Sequence, residues 1–376
     1  MGNLKLLTHK ERYLKAVNLE VPDIVPIDGT LDLIHAKRIL GKSPMNSSIF
    51  LSKNYDKEID MNYIAKHNQK LLNETEIKLD FDSLSLYDWN IYPDGFRPKY
   101  IDAHTFIDHI GRIFRSKPEV NTTYWIDGII KSAEDLENFE FPRIDQLNFD
   151  ILEETLARAK EEYPVMVFSH AVATLPFEIR GGIDKLVYDI FRQPDFARKL
   201  IEKAFNYQID LIKKFIKYGV DIIVEGDDLA DSKGPLFSPK ILRDFFFPYL
   251  KKFIQECKSK DVVVMKHTDG DVYPILDELV NFGIDGLHPM EPGVMDIGKV
   301  KELYGERIFL RGNVDCVHIL PYGTEDKVRA DVRRCIDAGA KGGGFILSDS
   351  NSLHSNVKTE NIKIMVDEAR RYGRYD

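Results

Sequence analysis

His267 and Asp269 stand one residue apart at the end of an apolar run, Val262-Val263-Val264-Met265. In an extended strand, residues two apart face the same way, so imidazole and carboxylate converge on one point. Such a couple binds a metal or works as an acid–base pair; in a purely structural setting it is a hydrogen-bonded pair. A second cluster, Glu225-Gly226-Asp227-Asp228, follows the run Asp221-Ile222-Ile223-Val224. Three carboxylates this close raise at least one pKa unless a cation lies among them. Metal binding, binding of a cationic substrate and general-acid work each account for the crowding, as does an N-cap on a solvated face. Asp227 is the expected catalytic member, because it lies two residues from Glu225 and shares its facing. A third cluster, Asn313-Val314-Asp315-Cys316, brings a cysteine that either completes a soft metal site with His267 or fills buried space.

The elements that must position these groups repeat. Four times an apolar-striped helix ends near a glycine (Gly219, Gly283, Gly305, Gly339) and a short buried strand follows. Strands are expected to begin at 25, 83, 165, 221, 262, 285, 308 and 345, which is the number that closes a parallel (β/α)₈ barrel. The spacing of Ile201, Phe205, Ile209, Ile212 and Ile216 predicts a long helix with one face on the barrel. Another is expected from Pro239 to Lys260. Two decorations stand out: a helical insertion over 31–78 and a β-hairpin over 103–128. The whole of 1–376 reads as a single domain. In such barrels the residues at strand exits carry the chemistry. That adds Asp28, Tyr87, His170, His288, Asn313, Asp315, Ser348 and Ser350 as candidate substrate contacts. Gly342-Gly343-Gly344 precedes its strand and reads as a turn.

Composition narrows the function. A net charge of −9 disfavours a general nucleic-acid binder, which needs clustered Lys and Arg. Three widely spaced cysteines argue against a disulfide framework and for a reducing compartment. No secretory h-region and no span of roughly 18 apolar residues is present, so a cytoplasmic protein is expected. No G-x-G-x-x-G follows a strand, and neither a P-loop nor a G-x-S-x-G elbow occurs. Nucleotide, nicotinamide and serine-hydrolase chemistry therefore lack support.

The runs His267-Thr268-Asp269-Gly270, Leu287-His288-Pro289-Met290-Glu291 and Gly312-Asn313-Val314-Asp315, with Gly226-Asp227-Asp228 and Phe237-Ser238-Pro239, resemble the uroporphyrinogen decarboxylase superfamily. The likeness extends over nearly the whole chain and is weakest over 31–78. It implies a (β/α)₈ barrel and one of two activities. Porphyrinogen decarboxylases of the family carry an Arg-rich loop after the first strand; here that stretch, Ile27-Asp28-Gly29-Thr30-Leu31-Asp32, is acidic and lacks Arg. The other branch comprises cobamide-dependent methyltransferases, whose thiol-methylating members hold zinc through His-x-Cys and a later Cys. This chain keeps His267 but has Asp269 at the Cys position and Ser348 and Ser350 near the later one. The resemblance thus implies a harder zinc site made by His267, Asp269 and Glu225 or Cys316, better suited to an oxygen or amine ligand.

The expected function is a methyltransferase that moves a methyl group between a small methoxy- or methylamine-type compound and a corrinoid protein. His267 and Asp269 would hold the metal, and Asp227 or Glu225 would orient substrate or supply a proton. The alternatives are a metal-free decarboxylase or lyase using Asp28 and His267, and a non-catalytic cobamide-system binding protein. A homodimer stays open, since the sequence does not set the oligomeric state.

Overall fold

The computed structural model describes residues 6–45, 60–117 and 122–375. Seven parallel strands form its main sheet: β1 Leu84–Tyr87, β2 Val165–Ser169, β3 Ile222–Glu225, β4 Val263–His267, β5 Gly286–His288, β6 Phe309–Val314 and β7 Phe345–Asp349. They pair in that order, each with its neighbour in sequence.

The expected first strand at 25–28 is reduced to one bridge, Ile27 with Leu347 of β7. Pro26 has no N–H to give to a ladder, and the Ile27 N–H is taken by the Asp82 carboxylate at 2.7 Å. The segment still spans the gap between the edge strands. Asp28 N–H donates to Leu347 on one side, and Asp82 N–H donates to Ile27 on the other. The (β/α)₈ ring is kept with its eighth member as a stub.

Each strand is buried on both faces, as the near-continuous apolar runs require. Met166, Phe168, Ile222, Val224, Met265, Phe309 and Ile346 point into the barrel, where Tyr13, Ala16 and Val17 of the helix His9–Val17 join them. The alternate residues Val167, Ile223, Val264, Leu310 and Leu347 meet the helices in the larger core. Every exit residue inherits one of these two facings.

Gly219 and Gly283 end their helices in the left-handed conformation, with φ of 84° and 97°. Gly305 is right-handed and Gly339 is the last residue of its helix, so the glycine stop operates at two of the four expected places. The expected 239–260 helix runs unbroken from Pro239 to Lys258 but is not α-helical throughout. A π turn at Leu242–Phe246 widens it; Pro248 cannot donate to the carbonyl of Asp244, and Arg198 donates to that oxygen instead at 2.9 Å.

The expected hairpin is a four-stranded antiparallel sheet of Lys99–Tyr100, Thr105–Ile107, Arg112–Lys117 and Thr122–Gly128. The 31–78 insertion supplies two helices, Ile34–Leu40 and Met61–Lys78; its residues 46–59 lie outside the described ones.

Candidate active site at the barrel mouth

His267 ends β4 directly opposite His288 in β5. Their Nδ1 atoms are 2.6 Å apart, so one carries the shared proton and the other accepts it. The Nε2 of His267 then faces two carboxylates, 3.6 Å from Asp228 and 3.9 Å from Asp269. Asp228 also accepts the backbone N–H of Asp269 at 2.9 Å. One oxygen of Asp269 accepts from Asn351; the other is buried without a partner. Among the described residues, Asp228, His267 and Asp269 are the group able to close on a metal ion, with ligand atoms within 4.8 Å of one another.

Burial sets the charges. It pushes His267 down to about 3, helped by the charge of Lys266, so the imidazole is neutral at physiological pH. Burial, with Asp228 and Glu291 nearby, pushes Asp269 up to about 7. A neutral imidazole beside carboxylates, one of them on the edge of protonation, is a site short of positive charge.

Two expected members belong to the other facing. Glu225 is in register with Lys266 and forms a buried ion pair with it; burial and Asp227 hold its carboxyl well above the usual range. Asp227 does share that facing. Its carboxylate accepts the backbone N–H groups of Val172, Ala173 and Thr174 at 2.7, 2.5 and 3.1 Å, where the helix Thr174–Arg180 begins. Burial alone would raise it, but a hydrogen bond from Glu225, the Lys266 charge and these amides leave it at about 2. The expected assignment of Glu225 to a metal and of Asp227 to catalysis is corrected accordingly: both are bound up in the layer between strands and helices.

Cys316 is likewise removed from the ligand set. Its thiol is buried, accepts from the Ser350 hydroxyl at 3.3 Å, and lies outside the metal-competent group. Asn313 donates to the Met290 carbonyl at 2.6 Å and accepts from Arg334 at 3.3 Å. Asp315 accepts from the N–H groups of Val317 and His318, both at 2.7 Å. Ser348 donates to Asp349 at 3.3 Å, and Asp349 holds the Thr30 N–H at 2.9 Å. These side chains shape the exit loops. Asp28 sits inside the barrel, bound by Arg311 at 2.7 Å and by the Tyr13 hydroxyl at 2.7 Å.

Tyr87 and His170 line a cavity of about 510 Å³ that opens at the mouth and has His267 in its wall. The helix Met61–Lys78 covers it with Asn68, Gln69 and Leu72. On the β1–β2 side four rings stack in series: Phe168 on Tyr87 at 5.2 Å, Tyr87 on Trp89 at 4.6 Å, and Trp89 on His170 at 4.9 Å. A larger surface recess of about 700 Å³, beside Phe141 and Tyr207, contains none of the site residues.

Asp228 stands in the carboxylate cluster read from sequence and Glu291 in one of the family-like runs, neither with a chosen role, whereas Asn351 and Trp89 are added by the structure. By alternation Ile222, Val224, Gly226 and Asp228 share one phase, which the structure turns inward, and Glu225 and Asp227 share the other.

Comparison with known proteins agrees with the fold. The family model described as "Uroporphyrinogen decarboxylase (URO-D)" matches residues 108–372. Curated relatives include the uroporphyrinogen decarboxylase of Chlorobium phaeovibrioides, 26% identical over 63% of this chain and 69% of that protein. The enzyme of the same name from Coxiella burnetii is 21% identical over 73% of this chain and 76% of its own. A solved methyltransferase from Methanosarcina mazei superposes with a TM-score of 0.67 at 19% identity, covering 97% of this chain and 99% of the other. No described helix is long and apolar enough to cross a membrane. With a family match over more than half its length and the barrel built as the family's motifs imply, the chain belongs to the uroporphyrinogen decarboxylase (URO-D) family.

Proposed function

We propose that the protein is a methyltransferase that moves a methyl group between a small methylated compound and a corrinoid carried by a partner protein. The observation that carries this reading is the Asp228–His267–Asp269 cluster beside a cavity whose lining, among the described residues, contains neither Lys nor Arg. A tetrapyrrole bearing many carboxylates would meet no counter-charge there. The nearest strand cations, Lys266 and Arg311, are already paired with Glu225 and Asp28.

The cluster fits a divalent cation. It offers one imidazole nitrogen and two carboxylates, donors suited to zinc, and it leaves one Asp269 oxygen buried and unpartnered. When bound there, zinc supplies a Lewis acid to the heteroatom that bears the methyl group. The chain's own residues do the positioning. His288 fixes the ring of His267 through the Nδ1 contact, leaving Nε2 toward the carboxylates. Asn351 orients Asp269 by donating to one of its oxygens. The aromatic wall and the covering helix line two sides of the cavity in which the methyl-bearing compound would sit. Loss of a methyl cation equivalent from an ether leaves an oxygen anion that takes its proton from solvent at the cavity mouth, since Asp269 serves as a carboxylate ligand.

The direct test supplies purified protein with cob(I)alamin and a panel of methyl ethers and methylamines, and follows methylcobalamin by absorbance. Transfer from one donor class, lost in His267→Ala, supports the reading. No transfer from any donor contradicts it. Metal-free lyase chemistry through Asp28 is disfavoured, because both carboxylate oxygens of Asp28 are engaged inside the barrel.

A further inference from the structure

The wall of the mouth cavity is uneven in kind. One side is the ladder Phe168, Tyr87, Trp89 and His170, whose neighbouring planes are tilted by 29°, 32° and 12°. The covering side presents Leu31 and Leu72. Amide and hydroxyl groups gather near β7, at Asn351 and Ser352. Among the described lining residues the carboxylate is Asp32, and Asp228 and Asp269 lie at the adjoining cluster. Arg112, behind the aromatic wall, is held by Asp108 at 2.7 Å and Glu178 at 3.2 Å. Apolar surface with a few convergent polar groups is how small-molecule sites are built. A slot between stacked rings and leucines suits a flat ring, since offset or edge-on ring pairs gain beyond their burial. Among the described residues of this lining and the adjoining cluster, an anion meets carboxylates and no Lys or Arg.

We propose that the compound this cavity takes is an uncharged aromatic ring, seated against the Trp89–His170 part of the ladder with its oxygen substituent toward His267, and that rings bearing a carboxylate are rejected. The choice of a methyl-bearing oxygen rests on the methyl-transfer reading. The ring seat and the charge preference do not, and binding tests them without any corrinoid.

Calorimetric titration of the full chain would use 2-methoxyphenol, phenol, 4-methoxybenzoate and trimethylphenylammonium as probes. Both neutral rings are expected to bind, with 4-methoxybenzoate weaker by at least about tenfold. Trp89→Ala is expected to weaken 2-methoxyphenol by about tenfold, and Trp89→Phe to restore most of it. Equal or tighter binding of 4-methoxybenzoate overturns the proposal, as does preference for the quaternary ammonium or no binding of either neutral ring. Should Trp89→Ala fail to fold, Asn90→Lys at the cavity rim decides. It is expected to raise the affinity for 4-methoxybenzoate selectively, and unchanged selectivity overturns the charge preference. Neutral rings that bind while methyl transfer fails would sink the methyl-transfer reading alone.

Discussion

Asp227 and Asp228 are neighbours in sequence that serve opposite sides of the barrel wall. Asp227 accepts three backbone amides at the start of the helix Thr174–Arg180, whereas Asp228 faces the Nε2 of His267 at 3.6 Å. One peptide unit therefore separates a group that holds the fold from one that faces the His267 imidazole at the barrel mouth.

Their variants should divide the same way. Asp227→Ala strands two buried N–H groups and a half-buried third, and is expected to cost about 1–3 kcal/mol or more of stability, read as a lowered denaturant midpoint. Asp228→Asn, half exposed, is expected to leave the midpoint nearly unchanged and to abolish activity. The reverse pattern would mean that the facings are misassigned.

His288 offers a second check. Holding His267 through its Nδ1, it would act on the proposed zinc ligand rather than on the ion, and outer partners of this kind are worth about 10–100-fold in metal affinity. His288→Ala is expected to weaken zinc by that factor in competition with a chelator, while His267→Ala removes binding altogether. Unchanged affinity in His288→Ala would show that the ring contact is incidental.

The Asp28–Arg311 pair predicts a stability effect with a sign. Both groups are buried, and removing one partner leaves the other charge uncompensated, at about 3–5 kcal/mol. Asp28→Ala should therefore unfold at markedly lower denaturant. A fully stable variant lacking activity would instead favour a direct chemical role for Asp28.

Glu76 gives a pH dependence. Burial raises its carboxyl from 4.5 to about 8, although Ser85 donates to it. The folded state thus keeps a proton that the unfolded chain releases. Its contribution is full below about 4.5, falls as pH rises, and is lost above about 8, an effect on the order of a few kcal/mol. Glu76→Gln is expected to flatten the fall of stability between these values. Parallel wild-type and variant profiles would contradict the shift.

Much of the barrel could be read from the chain because doubly buried parallel strands leave near-continuous apolar runs such as Val262-Val263-Val264-Met265. The stub at Ile27 could not, since its ladder bond is lost to Asp82, 55 residues away. His267 and Asp269 were legible as a same-facing pair. Their third partner was not, because alternation alone leaves two phases and only register with β4 tells which phase looks inward. Lys266 opposite Glu225 settles that register. The aromatic wall was hidden for a related reason: Tyr87 and Trp89 come from one exit, Phe168 and His170 from the next, and nothing local joins them.

Zinc titration of the metal-stripped protein tests the central claim most directly. One equivalent is expected for wild type, Asp227→Asn and Glu225→Gln, with loss in His267→Ala, Asp228→Asn and Asp269→Asn. Zinc retained in the last three, or lost only with Glu225 or Cys316 substitutions, would contradict the site described.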